Sequence, residues 1–362
     1  MNSPLATHHS PLALLSRPRL AEILQAIGEL SIGVLGDFTL DGYWYADMVQ
    51  SQLSRETPLY PRPVVRETYS LGGAANVAWN ASALRPAAVT AFSVLGPDWR
   101  GTILRDLLTA EGIRTTALVE DSSRRTPFYG KVVLTAAGRA SQEDARLDFI
   151  NTQPLPAAVE AQFLSALEQA LPGLDALVIA DYQTNGVISD GLVPAVLDLL
   201  RGYPHLPVVV DSRERAAAFS ALTLKPNSLE AARLFFPNRD PAAVGLPELA
   251  QAALEHARST GRPIFITRGE QGCLVCSGGE CRAVPGVPVP PPTDPVGAGD
   301  SFLASLAAGL AAGASPLESA CLANLSAAVT VAKTGVTGTA CPEEILACHE
   351  RWENTLAKSP AG

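Results

Sequence analysis

The sequence predicts an α/β fold in which a mainly parallel sheet carries helices on both faces and a small β flap is inserted. Short apolar runs typical of strands recur along the chain, and amphipathic stretches typical of helices separate most of them. Strands that alternate with helices require crossover connections, which produce parallel pairing. The predicted strands are residues 32–35, 89–94, 176–180, 207–210, 222–224 and 264–267, and the predicted helices are 74–84, 100–111, 157–171, 191–201, 228–235 and 246–258.

Two segments interrupt this alternation, and they predict the flap. Residues 43–70 and 125–149 show little helical periodicity, contain several prolines, and hold β-favouring residues such as Tyr60, Val64 and Tyr129. We expect them to form one β lid beside the ligand site, where a lid would exclude water. A pair of separate surface hairpins is the simpler alternative.

Composition and net charge exclude several classes of protein. The chain has 362 residues, of which 47% are hydrophobic, and a net charge of −9. No apolar run approaches the roughly 18 to 20 residues that a membrane helix needs, and the start of the chain lacks the charge pattern of a secretory signal. We therefore expect a cytoplasmic protein, with neither membrane nor nucleic acid as a partner. The predicted organisation is an N-terminal extension over 1–30, a main domain over 31–345 and a C-terminal tail over 346–362.

The six cysteines do not indicate a disulfide scaffold in a chain of this length. Cys273, Cys276 and Cys281 cluster within a predicted hairpin over 273–284. Strand alternation puts Cys273 and Cys276 on opposite faces, and a fourth ligand is missing nearby. Buried or hairpin-flanking thiols are therefore expected rather than a zinc site.

The most informative stretch is a glycine-rich turn that leads into an alanine-rich helix. Gly297, Ala298 and Gly299 can leave their backbone amides bare at the positive end of the helix dipole, where anions bind. Asp300 follows in the first turn and can accept the proton of an attacking hydroxyl. The pattern predicts a phosphoryl-transfer centre. An ordinary helix start that Asp300 caps is the alternative.

Polar and glycine residues near the first strand predict a second binding element. Asp37 and Asp41 follow that strand, and carboxylates there suit neighbouring hydroxyls. Gly72 and Gly73 open a helix whose Asn76 offers both a donor and an acceptor to a polyol. Turn formation and simple helix packing are the competing interpretations.

Two further motifs follow strands. Asn227 and Glu230 share a face of a first helical turn, where Glu230 could hold the water shell of Mg²⁺; the same spacing matches a capping box. Thr267, Gly269 and Gly272 lie in a loop that could pass under nucleotide phosphates or form a plain turn.

The joint order of these motifs resembles the ribokinase-type carbohydrate kinases, also called the phosphofructokinase-B family, from residue 32 to about 339. The resemblance implies a ribokinase-like fold with a β lid, ATP and Mg²⁺, and a sugar hydroxyl as acceptor. It places the anion hole at Gly297, Ala298 and Gly299 and the catalytic base at Asp300. It also implies a sugar site at Asp37, Asp41, Gly72, Gly73 and Asn76, and a nucleotide site at Asn227, Glu230, Thr267, Gly269, Gly272 and Asn324, with Glu230 at the metal.

A narrower resemblance links GDFTLDGYWY (36–45), LSRETP (53–58) and RLDF (146–149) to the kinase half of bifunctional heptose 7-phosphate kinase/ADP-heptose synthases. It implies a phosphorylated heptose as substrate and, by analogy, a homodimer through the lid. An unphosphorylated hexose, pentose or nucleoside is the alternative substrate, and a non-catalytic sugar or nucleotide sensor is the alternative function.

The chain also departs from these patterns. Pro295 replaces a threonine of the family, Gly42 replaces an arginine of the subfamily, and the lysine usual after Asp181 and Tyr182 is missing. A buried sugar phosphate requires cationic partners. The candidates are Arg55, Lys131, Arg146, Arg213 and Arg215.

Overall fold

The computed structural model describes residues 14–136, 141–335 and 337–358. The strands are β1 (Ser31–Gly36), β2 (Phe38–Asp47), β3 (Val64–Gly73), β4 (Ala88–Phe92), β5 (Val94–Leu95), β6 (Val119–Glu120), β7 (Phe128–Thr135), β8 (Gln142–Phe149), β9 (Ala176–Asp181), β10 (Val208–Ser212), β11 (Thr223–Leu224), β12 (Ile264–Thr267), β13 (Cys273–Ser277) and β14 (Glu280–Val284). The helices are α1 (Arg17–Ile27), α2 (Ala74–Ala83), α3 (Trp99–Ala110), α4 (Ala157–Ala170), α5 (Leu192–Arg201), α6 (Ser228–Phe235), α7 (Leu246–Thr260), α8 (Ala298–Ala311), α9 (Pro316–Val331) and α10 (Pro342–Lys358).

The central sheet is parallel over most of its width. Its strand order is β14-β13-β12-β11-β10-β9-β1-β4, and every pair from β12 to β4 is parallel, whereas β13 and β14 add an antiparallel hairpin. This arrangement confirms the predicted fold class. Because parallel strands share their direction, the carboxyl ends of β1, β9, β10, β11 and β12 meet at one edge, where ligands of such sheets bind.

Successive side chains along each strand point to opposite faces of the sheet, and a separate hydrophobic core lies on each face. Val178 of β9 belongs to the core that includes residues of α1, α2, α8, α9 and α10, whereas its neighbours Leu177 and Ile179 belong to the core that includes residues of α4, α5, α6 and α7. The sheet is therefore buried on both faces, which explains why its strands read as continuous apolar runs. The helices lie on both faces, as predicted.

The lid is a four-stranded sheet with the order β3-β2-β7-β8, in which β2 pairs antiparallel with β3 and parallel with β7. The two predicted segments therefore form one sheet rather than separate hairpins. The lid also starts earlier than expected, because β2 begins at Phe38, directly after β1. At its base, the ring of Phe128 is fully buried and lies 5.3 Å from that of Trp44 and 5.6 Å from that of Trp99.

One cysteine expectation is wrong. The predicted hairpin forms as β13 and β14, but Cys276 and Cys281 lie directly opposite each other and are joined as a disulfide rather than being free thiols. Directly paired residues on antiparallel strands have neighbouring Cβ atoms, so the turn itself brings the two sulfurs together. Cys273 is a buried free thiol.

Both ends of the chain contain helices. α1 buries Leu20, Ile23 and Ile27 in the core, and α10 extends to Lys358, within the segment expected to be a tail. The predicted domain boundaries remain a prediction. Within the described ranges, none of the helices combines the length and apolar character that crossing a membrane requires.

Candidate active site

Two clefts meet at the N-terminus of α8. The larger has a volume of about 910 Å³ and the smaller of about 500 Å³. Gly299 and Thr267 line both, whereas Asp300 lines only the smaller cleft. A group bound in the larger cleft and a group bound in the smaller one would therefore approach each other at this helix end.

The turn before α8 exposes backbone amides. Gly297 has a left-handed backbone with φ of 81°, and a Cβ atom there would lie 3.1 Å from the Asn76 amide nitrogen. In the part of the chain that the structure describes, the N–H groups of Gly297 and Gly299 have no hydrogen-bond acceptor. The Ala298 N–H donates to the Pro295 carbonyl at 3.2 Å, so this amide is not bare as the sequence predicted. Two amides at the helix dipole remain available for an anion.

Asp300 is held by two side chains. Its Oδ2 accepts from the Asn76 amide at 2.7 Å, and its Oδ1 accepts from the Tyr182 hydroxyl at 3.0 Å. Burial and the neighbouring charge of Asp211 raise the pKa of Asp300 to about 6, although both hydrogen bonds oppose the shift. A carboxylate with this pKa is ionised at neutral pH and can accept a proton from a bound hydroxyl.

A buried ion pair lies behind Tyr182. The Tyr182 hydroxyl is 3.1 Å from Asp211 Oδ2, and the same oxygen is 3.0 Å from Lys225 Nζ. Lys225 is only 4% exposed and Asp211 only 8%, so the charges are largely withdrawn from water. Asp300, Tyr182, Asp211 and Lys225 thus form one connected network.

The lid forms one wall of the smaller cleft through Asp41, Tyr129, Lys131 and Arg146. Burial raises the pKa of Asp41 to about 6, although Lys131 and Arg146 act to lower it. Asp41 Oδ1 and Thr39 Oγ1 are buried without a hydrogen-bond partner among the described residues, and both lie over Gly72. Unpaired buried oxygens are costly, so they mark a place for a polar ligand.

The opposite wall carries Arg213, Lys225, Asn227 and Glu230. Asn227 Oδ1 accepts from the Leu229 and Glu230 amides, and Glu230 Oε2 accepts from the Asn227 N–H, so the predicted capping box is present. The box does not remove Glu230 from the cleft. Burial, followed by the charge of Asp211, raises the pKa of Glu230.

The larger cleft contains the predicted loop. Thr267, Gly269, Gly272 and Asn324 all line it. Gly272 has φ of 80°, and a Cβ atom there would lie 2.2 Å from the Val284 carbonyl oxygen, so only glycine permits this crossing of two loops. Asn324 donates to the Pro285 carbonyl at 3.0 Å and holds the same crossing from α9.

Two predicted sugar contacts have different surroundings. Asp37 is 2% exposed, and its carboxylate accepts from the backbone N–H groups of Tyr182, Gln183 and Val187, so it fixes the loop after β9 and does not line the cleft. Asn76 also lies behind the cleft wall, where it holds Asp300. Gly73 lines the smaller cleft.

Six residues that line the smaller cleft were not predicted as site residues: Thr39, Tyr129, Tyr182, Asp211, Lys225 and Val296. Asp211 and Tyr182 each lie at the carboxyl end of a central strand or just beyond it, and this position was the available signal. Thr39 and Lys225 carry no motif of their own.

The chain is similar in sequence to one family of known proteins. Residues 46–343 match the sequence profile of a family described as pfkB family carbohydrate kinase. The Bifunctional protein HldE of Trichlorobacter lovleyi is 34% identical over 92% of this chain and 65% of its own length, and that of Caulobacter vibrioides is 33% identical over 91% and 65%. The chain therefore spans less than two thirds of the length of these relatives.

Solved structures share the fold. Phosphofructokinase-2 from Escherichia coli, in complex with substrates and products, has a TM-score of 0.68 and 22% identity, covering 90% of this chain and 99% of its own. Arabidopsis thaliana ribokinase, complexed with ribose and ATP, has a TM-score of 0.66 and 16% identity, covering 88% and 98%.

The turn at Gly297 can be tested by stability alone. We expect Gly297→Ala to lower the free energy of unfolding by ~1–2 kcal/mol, because a non-glycine residue is strained in the left-handed region. Gly299→Ala is the matched control, since the space around its Cβ position is open and alanine favours the first helical turn. Urea unfolding measures both. Equal stability of the two variants would contradict the geometry described for this turn.

Proposed function

Because the chain belongs to the pfkB family of carbohydrate kinases, we propose that it transfers the γ-phosphoryl group of ATP to a sugar hydroxyl. The observation that carries the proposal is the meeting of two clefts at the N-terminus of α8, with Asp300 on the side of the smaller one. ATP occupies the larger cleft, and the sugar occupies the smaller one beneath the lid. The use of ATP favours a cytoplasmic location.

The residues at the junction divide the chemistry between them. Asp300 takes the proton of the sugar hydroxyl while that oxygen forms a bond to the γ-phosphorus, and the bond from the γ-phosphorus to the bridging oxygen breaks to release ADP. The free amides of Gly297 and Gly299 donate to the transferred group, where negative charge concentrates. Asn76 and Tyr182 hold the carboxylate in place.

Glu230 suits the Mg²⁺ that accompanies ATP. Its Oε2 is used by the capping box, whereas its Oε1 accepts no hydrogen bond from any residue that the structure describes. Mg²⁺ in nucleotide sites is held by one or two carboxylates, directly or through water, together with phosphate oxygens. When bound, the ion would neutralise phosphate charge, and Glu230 would hold it directly or through water.

The lid supplies the sugar contacts. Asp41 and Thr39 line the cleft, and each has a buried oxygen, Oδ1 and Oγ1, without a partner among the described residues; sugar hydroxyls would satisfy both. Gly73 leaves room beside them. Asp37 contributes indirectly, because it fixes the loop that carries Tyr182.

The substrate carries a phosphate, and a heptose phosphate is our first choice. Lys131 and Arg146 face the cleft from the lid, and Arg213 faces it from the main domain. Arg213 forms no ion pair within the described residues, so it is free to bind an anion. Arg215 is engaged with Asp181 and Asp190. Arg146 is paired with Asp148, so Lys131 and Arg213 are the two cations that take the place of those that the sequence lacks.

A second copy of this chain is the partner that we propose for the lid. Its two edge strands expose apolar side chains: Val64 and Val65 on β3, and Leu147 and Phe149 on β8, each between 37% and 56% exposed. Exposed edges with apolar side chains favour association.

Asp300→Asn tests the base. We expect sugar-dependent ATP turnover to fall by ~10²–10⁴-fold, because the amide cannot accept the hydroxyl proton. For the wild type, kcat/KM should fall as pH drops through about 6, since protonation of Asp300 removes the base. Asp198→Asn, on the exposed side of α5, should match the wild type. Turnover that survives Asp300→Asn would rule out this base, and saturable sugar binding without wild-type turnover would favour a sensor.

Neutralising the cations tests the phosphorylated substrate. Lys131→Met and Arg213→Met should each raise KM for a heptose phosphate by roughly 10- to 100-fold, through loss of a charge-assisted hydrogen bond, with KM for ATP unchanged. Arg55→Met is the control, because Arg55 is exposed and does not line the cleft. A wild-type enzyme that prefers an unphosphorylated sugar, with KM insensitive to both variants, would overturn the assignment.

Sedimentation velocity tests the lid contact. We expect the wild type to sediment as a dimer at micromolar concentration and Leu147→Asp as a monomer, because a charge on the apolar edge opposes burial. Leu229→Asp on α6 replaces a similarly exposed leucine away from the lid and should remain dimeric. A monomeric wild type would exclude the contact.

A further inference from the structure

We propose that Tyr182 is a positioning residue for Asp300, whose hydroxyl turns its single proton between Asp300 and Asp211 as Asp300 gains the proton of the substrate. The inference rests on the proposed function, because it assigns a role in the same proton transfer. It concerns Tyr182, whose hydroxyl lies between Asp300 and Asp211.

The geometry gives the hydroxyl two acceptors. Tyr182 Oη lies 3.0 Å from Asp300 Oδ1 and 3.1 Å from Asp211 Oδ2. A phenol has one proton, so it donates to one carboxylate at a time and can accept a proton donor with its lone pairs. The nearly equal distances allow either orientation without movement of the ring.

Each orientation suits one protonation state of the base. While Asp300 is ionised, the hydroxyl donates to Oδ1. After the substrate proton has moved to Oδ1, Asp300 donates that proton to Tyr182 Oη, and the hydroxyl turns to donate to Asp211. The proton remains on Asp300 throughout, and Tyr182 stays neutral. Asp300 therefore keeps a hydrogen-bond partner before and after transfer, which avoids an unpaired buried group.

The surrounding groups make the second orientation possible. The titratable groups that face Asp300 are Tyr182, Asp211 and Lys225, and Asn76 contributes an uncharged amide. Lys225 Nζ lies 3.0 Å from Asp211 Oδ2 and fixes this oxygen opposite the Tyr182 hydroxyl, which can donate to it at 3.1 Å. Asn76 can only donate to Oδ2, since its own Oδ1 accepts from Asn80, so a proton on Asp300 finds its acceptor at Oδ1.

Tyr182→Phe removes the hydroxyl and keeps the ring. We expect kcat to fall ~10- to 100-fold with KM for both substrates within about threefold, because only the hydrogen bond to the reacting base is lost. The acid limb of the pH profile should move to higher pH, since a donor to ionised Asp300 is missing. Tyr203 lies beyond α5 and lines neither cleft. Tyr203→Phe should therefore match the wild type in kcat, in KM for both substrates and in the acid limb of the pH profile.

A cycle with Asp211→Asn completes the test. If Tyr182 works through both carboxylates, the loss in kcat of the double variant is smaller than the product of the two single losses. The inference would be overturned if the loss in kcat of the double variant equalled the product of the two single losses. It would also be overturned if Tyr182→Phe kept the wild-type kcat and an unchanged acid limb of the pH profile. If Tyr182→Phe unfolds at the assay temperature, Asp211→Asn is the deciding variant. A kcat at least ~5-fold below that of the wild type supports the role of Tyr182, and an unchanged kcat contradicts it. Failure of Asp300→Asn to abolish turnover would instead reject the proposed function.

Discussion

The left-handed turn at Gly297 is the constraint on which the site depends. It ends the connection from β14 and starts α8 without a side-chain cap, which leaves the first amides of the helix directed at the cleft junction. A capped helix start would satisfy these donors internally. The same turn puts Asp300 in the first turn of α8, so one helix sets the distance between the unpaired amides and the carboxylate.

Every support of Asp300 comes from a different element at the carboxyl edge of the sheet. Asn76 lies on α2, directly after the lid strand β3, and Tyr182 follows β9. Asp211 belongs to β10 and Lys225 follows β11. The lid strand β3 is therefore connected to Asp300 through the start of α2, whereas Asp211 belongs to the central sheet.

The sequence predicted the sheet, most of its helices and the turn at α8, because periodicity and glycine chemistry are local signals. It also predicted the loop of Thr267, Gly269 and Gly272, which lines the larger cleft. It failed where a polar residue could satisfy either a ligand or the backbone: Asp37 and Asn76 were expected at the sugar but hold a loop and the base. It missed Lys225 and Thr39, which depend on neighbours distant in sequence. The ring of Phe128 occupies the space that a side chain at position 42 would need, a packing reason for Gly42 that no single sequence reveals.

A crystal structure with ADP, Mg²⁺, aluminium fluoride and a sugar phosphate would test the central claim most directly. The account predicts the fluoride complex at the junction of the two clefts, within hydrogen-bond distance of the Gly297 and Gly299 amides, with the acceptor hydroxyl in contact with Asp300. A fluoride complex bound away from these amides, or an acceptor hydroxyl that does not reach Asp300, would contradict it.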